Sequence, residues 1–281
     1  MLTTRELKDL FSRYGFRPLK RLGENYLIDR NIKDKIITEI GAVCGETVLE
    51  IGPGFGALTV DLAETGAAIY AVEKDKKAFG ILSDMAGDLF PSLHLINGDI
   101  LKFDIGAIAR SKKIKVAGCM PYYITTPVIE YIIERRGRVS SAIVVVQKEF
   151  AERMLAKPGG KDYSSLSLYI QYYTIPKYIY TIKRTSFYPA PDVDSSLVRL
   201  DILEEPSIKV EDEDLFFRII RGAFNQRRKS IVNSLSRKEV LGLPKEKAVS
   251  ILKEAGISPK ARPEDLSLAD FASITNQFVV N

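Results

Sequence analysis

Histidine and cysteine are scarce in this 281-residue chain, and their scarcity removes whole classes of chemistry. The single histidine, His94, excludes a histidine-rich metal site and leaves the serines without the base that a Ser-His hydrolase needs. Two cysteines, Cys44 and Cys119, are too few for a disulfide framework and lack zinc spacing, so no metal is expected and a reducing, cytoplasmic location is. No apolar run is long enough to span a bilayer, and the opening segment from Met1 to Lys8 is polar and charged, unlike a signal peptide. Cys44, just ahead of Gly45, is expected to pack as a small apolar residue.

What is present fits a globular α/β chain. With 46% apolar residues it can bury one large core and a smaller satellite. The formal charge of +5 favours an anionic partner, although charge of this size decides little alone. From about residue 30 to 150, apolar β-branched runs alternate with amphipathic stretches, the pattern of βα units and a parallel sheet. The runs Val48 to Ile51, Ile69 to Val72, Leu93 to Ile96, Ile114 to Ala117 and Ala142 to Val146 read as strands. Leu58 to Glu64, Lys76 to Met85 and Pro127 to Arg135 read as helices between them. Tyr178 to Ile182 and Ser196 to Leu200 flank a proline-spaced turn and suggest a hairpin completing the sheet. Past the linker Glu204-Glu205-Pro206 helical periodicity takes over, giving an expected first domain over 1–203 and a small helical domain over 204–281.

Four strand ends carry the polar residues. The first runs into Gly52-Pro53-Gly54-Phe55-Gly56, a turn whose backbone can approach a ligand closely, though such turns also occur for purely structural reasons. Glu73 closes the next strand about twenty residues later, where an acid can accept hydrogen bonds from a ribose diol; the bland alternative is a solvated charge beside Lys74 and Asp75. Dinucleotide oxidoreductases share that pairing. Asp99, at the end of the third strand, can accept from an adenine amine, and the fourth strand delivers Cys119-Met120-Pro121-Tyr122 to the same sheet edge.

Taken with Gly23 to Asp29, Gln147-Lys148-Glu149, Phe187 to Ser195 and Ala223 to Lys229, this ordered series resembles the KsgA family of small-subunit rRNA adenine dimethyltransferases. The resemblance implies a Rossmann-like, S-adenosylmethionine-dependent methyltransferase sheet with a small C-terminal helical domain. It also implies dimethylation of two adjacent adenines in small-subunit rRNA within an immature ribosomal subunit. The cofactor positions it implies are Glu24, Asn25 and Leu27 at the methionine end, Gly52 and Gly54 in the turn, Glu73 at the ribose, Asp99 at the adenine, and Cys119 at the junction with the target base. In the family an Asn side chain and the following carbonyl hold the target amine, which here leaves Cys119 and the Met120 carbonyl; Pro121 shapes the clamp, Tyr122 stacks on the flipped base and Phe187 closes its other face.

Three departures stand out. Cys119 replaces Asn, and a thiol is a poor acceptor beside an amide oxygen. Glu24 stands where Gln is usual, and Asp192 where Lys is frequent. Cys119 leaves three readings open: an adenine methyltransferase with a weakened clamp, an assembly factor that binds without catalysis, and a thiol nucleophile for pyrimidine C5 methylation, against which stands the absence of a basic neighbour to lower its pKa.

RNA contact is read from charge. Between Arg218 and Lys238 there are seven basic residues and no acidic one, including Arg221, Arg227, Arg228 and Lys229, with Arg221 and Arg228 spaced to share a helical face. A merely solvated helix would look the same. Arg13, Arg17, Lys20, Arg21 and Lys148 are expected near the mouth of the site, whereas Tyr172 and Tyr173, inside an apolar segment, are expected to pack.

Overall fold

The computed structural model describes residues 2–18, 24–86, 89–109, 112–227 and 229–280. Gly23, Lys20, Arg21 and Arg228 fall outside this set. The chain forms two compact units, one built from residues 1–151 and 176–204, the other from 152–175 and 205–281.

The first unit opens with α1 (Thr4–Tyr14), started by a capping box between Thr3 and Glu6 and ended by Gly15 in the left-handed region. Next come β1 (Tyr26–Leu27), α2 (Arg30–Ile40), β2 (Thr47–Ile51), α3 (Thr59–Glu64), β3 (Ala68–Glu73), α4 (Lys76–Ala86), β4 (Leu93–Asn97), α5 (Ile105–Ala109), β5 (Ile114–Cys119), α6 (Thr125–Glu134) and β6 (Val139–Gln147). After α7 (Lys148–Leu155) and α8 (Ser165–Tyr173), the chain returns through β7 (Thr174–Ile182), β8 (Phe187–Tyr188) and β9 (Ser195–Ile202). Seven strands make one sheet in the order β4-β3-β2-β5-β6-β9-β7, and β1 pairs separately with β8. The strands β4 to β6 lie parallel, with β9 antiparallel to β6. Their central residues, such as Val48, Leu49, Ile69, Val116 and Ile143, are buried, which is why they read as continuous apolar runs.

Chain order reverses where β2 meets β5: β3 and β4 extend to one side, β6 to the other. In open α/β sheets ligands bind outside the carboxyl ends of the strands at this switch point. Gly52 follows one of the two strands and Cys119 ends the other.

The second unit is helical, with α8, α9 (Glu213–Phe224), α10 (Ile231–Leu235), α11 (Lys245–Glu254) and α12 (Leu268–Val280). The expected boundary after 203 lies one residue from the observed break, but residues 152–175 belong to this unit and not to the first. Aromatic packing accounts for the transfer: Tyr172 lies 5.1 Å from Phe216 between ring centroids, and Tyr169 lies 5.5 Å from Phe217. The Tyr172 and Tyr173 hydroxyls both donate to Glu213, so these rings pack, as expected. Among the described residues no helix is long and apolar enough to cross a membrane. Cys44 departs from expectation; it is exposed at the turn before β2, lying against Gly66.

Candidate active site

A cavity of about 520 Å³ opens at the switch point of the first unit. Its wall is built from the strand ends. Gly52 takes a positive φ of 66°, and its amide donates to the Val72 carbonyl at 3.0 Å, turning the chain off β2. Gly54, also at positive φ, leaves no room for a side chain, because a β-carbon there would lie 3.0 Å from the Tyr26 ring. Its amide donates to Glu73 Oε2 at 3.0 Å, and the Asp75 amide donates to Oε1 at 2.8 Å. Glu73 thereby fixes the turn while retaining acceptor capacity on both oxygens. Burial raises its pKa against the pull of these two amides.

Asp99 follows β4, where its Oδ1 accepts from the Leu101 amide at 3.1 Å and its Oδ2 from Lys74 Nζ at 2.9 Å. The Lys74 ammonium holds this carboxyl below the usual range. Leu27 of β1 also lines the cavity, with Glu24 and Asn25 just ahead of that strand.

The charge of the wall is one-sided. Among the described residues five carboxyl groups line the cavity, Glu24, Glu50, Glu73, Asp75 and Asp99, against two lysines, Lys74 and Lys76. Glu50, with 2% exposure, has an Oε2 with no hydrogen-bond partner, and burial followed by the Glu73 charge pushes its carboxyl to about 7. An orphaned buried carboxyl in an acidic wall suits a ligand bearing positive charge, such as a sulfonium or ammonium, and repels the pyrophosphate of a dinucleotide. These residues therefore fit S-adenosylmethionine.

Cys119 enters the cavity from the end of β5. Burial of the thiol, with Glu50 nearby, pushes its pKa up to about 12, so it is not a thiolate at neutral pH. The residue as a whole is half-buried. Met120 is buried, and its amide donates to the Val145 carbonyl at 2.9 Å, which fixes the backbone beyond Cys119. Pro121 lines the cavity and its carbonyl accepts from the Ile124 amide at 3.1 Å. Tyr122 stands outside the lining, its hydroxyl 3.1 Å from Ser195 Oγ on β9. Phe187 also stands outside the lining: at 5% exposure it is buried in the core with Leu27. β8 holds the ring there by pairing Phe187 with Leu27.

The matches to known proteins agree with this arrangement. The profile of the ribosomal RNA adenine dimethylase family matches residues 15–279. A ribosomal RNA small subunit methyltransferase A of Moorella thermoacetica is 43% identical over 271 residues, which cover 93% of this chain and 92% of that protein. One of the same name from Bacillus mycoides is 40% identical over 288 residues, covering 99% and 97%. The chain belongs to the ribosomal RNA adenine dimethylase family. A dimethyladenosine transferase structure from Plasmodium falciparum matches with a TM-score of 0.79 at 26% identity, covering 91% of this chain and 98% of that one. The 23S rRNA methyltransferase ErmE, at 24% identity and a TM-score of 0.70, covering 90% and 99%, shares the fold. As a family member the chain is an S-adenosylmethionine-dependent rRNA adenine dimethyltransferase.

The basic residues expected to meet RNA belong to both units, Lys148 to the first and Arg221, Arg227 and Lys229 to the second. Arg221 is exposed on α9, which ends at Phe224, and Arg228 lies outside the described residues. Arg227 is engaged internally, with Nε on Glu264 Oε2 at 2.6 Å and a terminal nitrogen on the Gly160 carbonyl at 3.0 Å. Lys229 and Lys148 are exposed.

Sequence reasoning did not single out the acidic wall, the α1 residue Leu7 that lines the cavity, or Tyr123, 49% exposed at its edge. One signal was available for Glu50: a lone acid within the apolar strand Val48-Leu49-Glu50-Ile51 is costly unless something cationic meets it.

Proposed function

We propose that this enzyme dimethylates two adjacent adenines of small-subunit rRNA in an immature ribosomal subunit, in the cytoplasm, and that the cavity residues hold the parts of S-adenosylmethionine in the order of the strands. The acidic wall around the glycine turn carries this reading. Asn25 and Leu27 meet the methionine end, with Glu24 and Glu50 facing its positive charges. Glu73 accepts from the ribose hydroxyls, the amides around Gly52 and Gly54 allow close approach, and Asp99 accepts from the adenine amine. When bound, the cofactor supplies a methyl group on an electrophilic sulfonium.

The chain's own task is orientation. The Met120 carbonyl, on backbone anchored to Val145, accepts one hydrogen of the target amine and directs the nitrogen lone pair toward the methyl. Tyr122 offers a stacking face, steadied at its hydroxyl by Ser195. Cys119 fills the place of the second acceptor and weakens the clamp without contributing a base or a nucleophile. With a pKa near 12, the neutral thiol favours amine methylation over attack on a pyrimidine ring. Phe187 anchors its segment in the core and leaves closure over the base to the residues that follow it. Arg221, Lys229, Lys148 and Arg228 supply cations for phosphates, and Arg227 braces the second unit internally.

The test is methyl transfer from labelled cofactor into small subunits lacking these methyl groups, with the modified nucleosides identified. Dimethyladenosine at two neighbouring positions is the expected product. Methylated pyrimidine, or subunit binding with no transfer under single-turnover conditions, would overturn the assignment.

A further inference from the structure

Ser186 and Asp29 join two segments that methyl transfer requires together. The Asp29 carboxylate is shared: Oδ1 accepts from the Ile32 amide at 3.2 Å and so caps α2, while Oδ2 accepts from the Ser186 hydroxyl at 2.9 Å. Ser186 is buried, and its carbonyl accepts from the Ile28 amide at 2.9 Å. The pairing continues as Leu27 with Phe187 and Tyr26 with Tyr188. The short strand carrying Leu27 onto the cavity wall is thus laced to the start of the segment that closes on the base. Ring contacts extend the connection to the glycine turn, since Tyr26 lies 4.5 Å from Phe55 between centroids.

We infer that the Ser186–Asp29 hydrogen bond is a positioning latch that couples cofactor occupancy to the grip on the target adenine. The inference rests on the functional reading above. A ligand drawing β1 and the turn onto itself draws β8 with them, because the latch stops the two strands from sliding independently. Linkage makes the effect reciprocal: RNA seated against the segment after Phe187 tightens cofactor binding by the same factor. Neither side chain touches the reacting atoms, so both act through the strands they hold.

Affinity for unmethylated small subunits, measured with and without S-adenosylhomocysteine, reads this coupling directly. In the parent chain the cofactor product should raise subunit affinity by roughly fivefold or more, the lower end of ordinary coupling. Ser186→Ala should bring that factor close to one while changing affinity for S-adenosylhomocysteine alone by less than about threefold. Asp29→Ser provides the second arm, because Ser caps a helix as well as Asp but carries a single oxygen on a shorter side chain, where the latch and the cap use two. It should lose coupling at unchanged thermal stability. An undiminished factor in both variants, or a parent factor of one, would overturn the latch. General loss of stability and cofactor affinity in both would reduce the pair to a structural brace and overturn it too. A parent that binds neither cofactor nor subunits would sink the functional reading, and the latch with it.

Discussion

Gly118 and Ile51 stand so close across the β2–β5 pair that a β-carbon on Gly118 would lie 2.5 Å from the Ile51 carbonyl oxygen. Backbone cannot swing aside as a flexible side chain can, so the switch point of the sheet admits only glycine there. Gly118→Ala should destabilise the chain by about 1–3 kcal/mol, the usual cost of overpacking, and should spread the strand ends that carry Gly52 and Cys119. Urea unfolding with calorimetry of S-adenosylmethionine binding checks both effects. An unchanged midpoint would mean that the strand ends part without cost.

Glu73 holds two backbone amides of its own site, so its replacement affects both the turn and the ligand. Glu73→Ala should weaken S-adenosylmethionine binding by roughly 1.5–3 kcal/mol, and Glu73→Gln, which keeps a neutral acceptor, by less. Calorimetry against a nicotinamide dinucleotide supplies the contrast. Tight dinucleotide binding would contradict an acidic wall that repels phosphate.

Glu50 gives the site a pH dependence whose sign is fixed. Its carboxyl is raised from 4.5 to about 7 in the folded chain, so between those values the folded state holds a proton that the unfolded state has lost. Stability should therefore fall as pH rises through that window, by up to about 3 kcal/mol, and Glu50→Gln should remove this part of the dependence. Cofactor affinity should move the opposite way, rising toward pH 8 as the ionised carboxyl meets the cation. Unfolding and binding measured at pH 5 and pH 8 in both chains decide it.

Cys119→Asn restores an amide acceptor where the target amine should pass. The single-turnover rate should rise by ~10-fold or more, with small changes in affinity for cofactor or subunits, as for a group that acts mainly in the transition state. Cys119→Ala and Cys119→Ser should leave transfer near the parent rate. If either abolished it, the thiol would be a participant and the amine clamp would need revision.

Among the arginines, Arg221 and Arg227 should behave differently. Arg221→Ala should flatten the salt dependence of subunit binding by about one unit of slope and leave stability unchanged. Arg227→Ala should lower stability of the second unit by about 1 kcal/mol, because it removes charge-assisted bonds to Glu264 and the Gly160 carbonyl, which keep Arg262 and the Tyr163 amide as partners. Thermal unfolding and a salt titration separate the two roles.

Much of this was legible in the sequence where periodicity and punctuation agree. The five parallel strands were readable from apolar runs because burial on both faces demands them, and Gly52, Glu73 and Asp99 were readable from their places at strand ends. Residues 152–175 were not, since nothing local says that Tyr169 and Tyr172 pack with Phe216 and Phe217 some forty residues later. Phe187 shows the same limit: a motif locates the residue, while the pairing of Tyr26-Leu27 with Phe187-Tyr188 is what sets its ring in the core.

The contrast between the two cysteines has a practical consequence. Cys44 is open to solvent, whereas Cys119 is half-buried, with a thiol that burial pushes up to about 12. Alkylating reagents and fluorescent maleimides react through the thiolate, so the first equivalent should attach at Cys44 and leave the site untouched. The chain thus offers one addressable handle on the surface of its methyltransferase unit, from which cofactor and subunit binding can be followed optically without altering a residue.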